Sequence, residues 1–289
     1  MSLATLHKEK WPLLVFIVLL PIFTFISKTT ADVYLTLTGL FFVFYSVKNK
    51  EYDWLQWPWV RAIFAFILVA MISACFSIFP KEAFIQSFIY LRWPLAAIAL
   101  VSLVFTNQQR LHLFEKTAFF FLLFIIVDTV FQFFYGKDIL GHPIGGTSRL
   151  TGPFTKTLVG AYSLKLFFFA FVFLYMLVEK NTKNLFLLTL SILAFNVFLL
   201  ITGERIVFIF GVLFLLGWLL ATAFIYQALR KFIPLILMGG AALFALIVVF
   251  ARDLLLLRFV PFIDAIKNFS STTYGDIFHS AFELWQLSP

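Results

Sequence analysis

Two arginines are the residues of this sequence best placed to do chemistry. Arg149 lies in GGTSRLTGPF, residues 145–154, and Arg205 in TGER, residues 202–205, each a polar island between long apolar runs. A guanidinium offers a planar fork that matches the oxygens of a phosphate, a geometry that the point charge of lysine cannot copy. Around Arg149, Gly145, Gly146 and Gly152 let backbone N–H groups approach a ligand closely, and Pro153 stiffens the chain before the next helix. Two such cations converging on one side of a membrane point to an anionic ligand. The alternatives are a re-entrant turn whose arginine caps helix ends, and a local ion pair between Glu204 and Arg205.

The elements that must position these residues are membrane helices. Of the 289 residues 62% are apolar and 12% charged, and the apolar ones form long runs rather than an amphipathic pattern. A span needs about 20 mostly apolar residues. Nine candidates emerge, at 11–27, 31–47, 59–79, 84–105, 114–134, 158–178, 184–201, 206–227 and 232–250. The expected fold is therefore all-α, a polytopic transmembrane helix bundle over residues 1–250, followed by a C-terminal segment at 251–289, which the family resemblance described below implies is the start of a large outer loop. The apolar run after Lys8 and Lys10 reads as an uncleaved first span rather than a signal peptide, because Pro21 falls within it and no small-residue cleavage site follows.

Orientation follows from the lysines and arginines, which concentrate in short cytoplasmic loops. With the N-terminus cytoplasmic, every predicted inner segment carries at least two of them, from Lys8 and Lys10 to Arg230 and Lys231. Trp54, Trp57 and Trp59 suit an aromatic belt at the inner interface. The 136–157 loop, Arg205 and the C-terminal segment then fall on the outer, periplasmic face.

A central Asp, Lys or Arg within a span costs on the order of 2.5–3.5 kcal/mol on insertion scales, so each needs a reason. Asp128 and Gln132 share one helical face that leads toward Gly136 and the arginine loop. They form either a polar track to the outer site or an inter-helix pair that fixes packing. Arg92 either snorkels or adds a third cation for the same ligand, and Lys165 snorkels or pairs with Asp128. The net charge of +8 anchors loops, and no nucleic-acid motif accompanies it. Cys75 is the only cysteine, and four scattered histidines lack metal-ligand spacing, so neither an internal disulfide nor a metal site is expected.

Taken in order, Asp128, Gln132, Gly136, Lys137-Asp138, Gly141, the RLTGPF of 149–154, the TGER of 202–205, and His279 ahead of Leu287-Ser288-Pro289 resemble the O-antigen ligase and polymerase family. The resemblance covers about residues 90–289. It implies a multi-pass bacterial inner-membrane glycosyltransferase with an active face in the periplasm, using no cofactor or metal ion. Such proteins take a glycan from undecaprenyl diphosphate and pass it to lipid A core, to another repeat unit or to a protein. Arg149 and Arg205 would hold the donor diphosphate, with Arg92 a further candidate and Asp128, Gln132 and Glu204 in support. Two arginines can stabilise the charge that builds on a diphosphate leaving group where other transferases use a divalent cation.

The acceptor hydroxyl needs a base, which in this family is usually a histidine following a proline like Pro289. The sequence stops at that proline, so the resemblance implies a C-terminally truncated form. His279 lies on an apolar-faced helix expected around 277–285; it is either the base or a surface residue of an interfacial helix. Ligase activity is favoured over polymerase by the GxER style of the second motif. A polytopic transporter and a non-catalytic membrane protein are the other classes the sequence allows.

Overall fold

A computed structural model of the protein describes residues 11–26, 28–145, 149–154, 158–178, 181–225, 230, 234, 238–241, 264 and 267–287. The described residues are helical with short turns, and no strand occurs among them. In chain order the helices are α1 (Trp11–Ile26), α2 (Lys28–Asn49), α3 (Pro58–Cys75), α4 (Pro80–Tyr90), α5 (Arg92–Leu100), α6 (Gln108–Tyr135), α7 (Val159–Leu177), α8 (Thr182–Thr202), α9 (Arg205–Ile225) and α10 (Thr273–Leu287). Among the described residues, seven helical segments are long and apolar enough to cross a membrane: Thr29–Asn49, Pro58–Cys75, Pro80–Phe105, Gln108–Tyr135, Val159–Leu177, Thr182–Thr202 and Arg205–Ile225. The protein is thus a multi-pass, all-α membrane protein. Rows of exposed large apolar residues, such as Phe66, Leu68, Val69 and Ile72 on α3, belong against lipid.

These seven match the second to eighth expected spans. Of the first expected span, the described residues form a helix of 16 residues, Trp11–Ile26, whose neighbouring residues lie outside the described ones. The ninth, 232–250, lies almost wholly outside the described residues. The third ends at Cys75 rather than at residue 79, and the reason is local. Pro80 opens α4 and disfavours helical geometry at Phe79, whose N–H turns to the Ser77 hydroxyl at 3.3 Å. Cys75 itself is exposed at this helix end.

The chain divides into two compact units. The first comprises residues 1–127 and 162–177. Its core gathers Leu20, Phe42, Val60, Ile98, Leu103 and Phe114. The Tyr34 ring stacks on Phe16 at 5.1 Å, and its hydroxyl donates to the Phe16 carbonyl at 2.7 Å. Helices α2 and α5 approach closely because Gly39 has no side chain, since a Cβ there would stand 3.0 Å from the Leu95 Cβ. The Pro80–Phe105 span breaks at Leu91, where Pro94 lacks the N–H that would bond the Tyr90 carbonyl. It ends in a π-helical turn, Val101–Phe105, in which Thr106 N–H reaches back to the Val101 carbonyl at 3.1 Å. The Arg110 Nη1 donates to the Leu103 carbonyl in that turn at 3.0 Å.

The second unit comprises residues 128–161 and 178–289. Helices α8 and α9 pack against each other, with the Trp218 indole donating to the Thr189 hydroxyl at 2.9 Å. The Asn181 side chain caps α8 by accepting from Asn184 N–H at 2.9 Å, and Gly203, at φ +81°, ends it in the left-handed region. Gly211 admits Asn196 and Leu199 to the α9 backbone, and a Cβ there would lie 2.6 Å from Asn196 Oδ1. Gly211→Val is expected to overpack this seam at a cost of about 1–3 kcal/mol. The check is a lower thermal midpoint in detergent, beside an unchanged midpoint for the same swap at open Gly217.

Candidate functional site

The polar islands meet inside the second unit, and the last turns of α6 organise them. Gln132 is fully buried there. Its Nε2 donates to the Thr151 hydroxyl at 2.7 Å and to the carbonyls of His142 and Pro143 at 3.2 and 3.3 Å. Its Oε1 accepts from the N–H groups of Thr151 at 2.9 Å and Gly152 at 3.0 Å. One carboxamide thus holds both arms of the loop between α6 and α7. Four residues earlier on the helix, Asp128 Oδ1 accepts from Ile139 N–H at 2.9 Å. The two residues placed on one helical face by their spacing therefore act together, and what they fix is the loop.

Loop residues 136–144 fold back on themselves. Asp138 N–H donates to the His142 carbonyl at 3.0 Å and Ile144 N–H to the Gly136 carbonyl at 3.3 Å. Asp138 Oδ1 accepts from His142 N–H at 2.5 Å, and its Oδ2 lies 2.7 Å from His142 Nδ1. The next arm, carrying Arg149, is tied to α8 through Leu150 N–H, which donates to the Thr202 carbonyl at 3.4 Å. Gly152, at φ +54°, could carry no other side chain, because a Cβ would stand 2.5 Å from Thr129 Oγ1 and 2.8 Å from Val159 Cγ2.

Glu204 closes the site from the other motif. Its Oε1 accepts from Gly160 N–H at 2.6 Å and its Oε2 from Ala161 N–H at 3.1 Å, so the carboxylate caps the N-terminus of α7. Gly160 makes room for it, since a Cβ there would meet Thr202 Oγ1 at 2.8 Å. Burial pushes the Glu204 carboxyl above the usual range, against the opposing pull of those two N–H groups and of the Arg149 charge. The Arg149 charge also acts on Arg205. The structure thus brings both arginines into one electrostatic neighbourhood, with Glu204 beside them acting mainly as a helix cap.

The other expected site residues have partners of their own. Arg92 belongs to the first unit, where its Nη2 pairs with Asp32 Oδ2 at 3.1 Å. Lys165, also of the first unit, stands over the Tyr162 ring at 5.9 Å. His279 lies on α10, its side chain 75% exposed and paired with the exposed Glu283 at 3.2 Å. No described contact joins it to either arginine motif. Gly146, next to the Arg149 turn, lies outside the described residues. Sequence reasoning passed over His142, although the spacing Asp138-x-x-Gly141-His142 carries the signal for a carboxylate and imidazole meeting across a tight turn. Compared with family models, curated proteins and solved structures, the chain matches none.

Two outcomes test this construction. Gln132→Leu keeps bulk but strands buried donors and acceptors, each worth about 1–3 kcal/mol when left unpaired. Hydrogen exchange is expected to accelerate at Thr151 and Gly152 while the middle of α8 stays protected. For Glu204, a raised folded-state pKa means stability present at acid pH and lost as the pH climbs through that value. The thermal midpoint should accordingly decline from acid toward neutral pH, and Glu204→Gln should flatten the decline.

Proposed function

We propose that this chain is a membrane glycosyltransferase that moves a glycan from undecaprenyl diphosphate to an acceptor such as lipid A core, in the manner of an O-antigen ligase. Convergence of Arg149 and Arg205 on one site, from motifs far apart in the chain, carries this reading. Phosphate oxygens accept bidentate bonds from guanidinium groups, and a diphosphate gains negative charge as the glycosidic bond breaks. Donors fixed in place before the reaction stabilise that charge without reorganising. The Gln132 clasp and the Glu204 cap supply this fixity, holding the Arg149 arm against the end of α8.

The same reading places the protein in a bacterial inner membrane with the site on the periplasmic face, which the distribution of lysine and arginine supports. It needs no metal ion, because the two guanidinium groups supply the charge. Arg92 pairs with Asp32 within the first unit.

Lysine exchanges test the clamp directly, because they keep the charge and remove the fork. Arg149→Lys and Arg205→Lys are each expected to lower transfer by about 100-fold or more, the scale for losing one fixed donor to a developing anion. The assay follows glycan-bearing lipid A in membranes supplied with lipid-linked glycan and lipid A core from the same cells. Both variants should insert normally and bind undecaprenyl diphosphate in nanodiscs more weakly than the unmutated chain. Normal transfer by both would remove the clamp.

A further inference from the structure

Asp138 and His142 form a pair that the arginine site does not use. The Asp138 side chain is fully buried, whereas 36% of the His142 side chain is open. A buried carboxylate that accepts from Nδ1 fixes the imidazole tautomer and leaves the lone pair on Nε2. The ring also cannot swing away freely. Its own backbone N–H is bonded to Asp138 Oδ1, and its carbonyl is bonded by Asp138 N–H and by Gln132 Nε2. Asp128 braces the same turn through Ile139 N–H.

The pair and the arginine arm share an anchor. Gln132 Nε2 donates both to the His142 carbonyl and to the Thr151 hydroxyl, two residues past Arg149. A part-exposed imidazole oriented at Nδ1 and held by the clasp that holds the phosphate-binding arm has the geometry of a general base. His279 lacks these features among the described residues, since its partner Glu283 is itself 60% exposed.

We propose that His142 is the general base that accepts the proton of the acceptor hydroxyl, with Asp138 as its positioning residue; this rests on the glycosyltransferase reading above. In the step, the acceptor oxygen bonds to the anomeric carbon of the glycan as that carbon's bond to the diphosphate oxygen breaks. The bonding pair leaves with the lipid diphosphate, whose added negative charge faces Arg149 and Arg205. The hydroxyl proton passes to His142 Nε2 and from there to water. Oxidation states do not change, and the substrate class is a hydroxyl-bearing glycan or glycolipid.

The experiment uses the full chain in membranes, with lipid-linked glycan and lipid A core extracted from the same cells, and undecaprenyl diphosphate as the binding probe. His142→Ala is expected to slow turnover by about 100-fold or more, the scale of a lost general base. Binding of undecaprenyl diphosphate should stay unchanged, and added imidazole should restore part of the turnover. Asp138→Asn keeps an oxygen for His142 N–H but turns an N–H toward Nδ1, which moves the ring proton onto Nε2. That variant should fall about as far as His142→Ala, while Asp138→Glu should retain more activity than Asp138→Asn. Full turnover in Asp138→Asn would overturn the pair, and so would a His142→Ala loss that imidazole does not relieve or that equally abolishes diphosphate binding. If Arg149→Lys is inactive while His142→Ala transfers normally, the base assignment alone fails. An unmutated chain that neither binds undecaprenyl diphosphate nor transfers glycan overturns both readings.

Discussion

Backbone groups that leave a helix at the end of an apolar span must find partners, because hydrocarbon offers none. Between α6 and α7 that constraint falls on the side chains of Asp128, Gln132 and Glu204. Gln132 alone meets two N–H groups, two carbonyls and a hydroxyl, which uses both faces of its amide. Everything distinctive about the second unit depends on this. Without the clasp, the turn that carries Asp138 and His142 and the arm that carries Arg149 would have no common reference point.

The electrostatics follow from the same economy of partners. Two arginines in one neighbourhood repel each other, and a nearby carboxylate would ordinarily cancel part of that repulsion. Glu204 offers both oxygens to backbone N–H groups at the start of α7 while its charge also attracts Arg149, so one carboxylate serves a helix terminus and a guanidinium at once.

Much of the helical frame was legible in the sequence, because a membrane demands long apolar runs and seven of the expected spans reappear as helices of sufficient length. The failures were local. Pro80 stopped α3 early through its effect on Phe79, and Pro94 interrupted the following span at Leu91, both consequences of a ring with no N–H. In the site, the shared face of Asp128 and Gln132 was readable from their spacing, and the two polar motifs announced Arg149 and Arg205. What those side chains bond was not readable. Gln132 reaches residues 10 to 20 positions onward, and Glu204 reaches back 44 positions to Gly160, separations that no helical or strand period encodes. Glu204 looked like a partner for its neighbour Arg205, and only the fold reveals that its oxygens are committed to α7.

The lone thiol at the end of α3 has a practical consequence. With a single cysteine in the sequence and that cysteine exposed at a helix terminus, the unmutated protein already carries one addressable position. A reagent that cannot cross lipid, applied to sealed vesicles of known sidedness, would read out which compartment that terminus faces. Every later crossing would then be oriented by counting from one chemical mark.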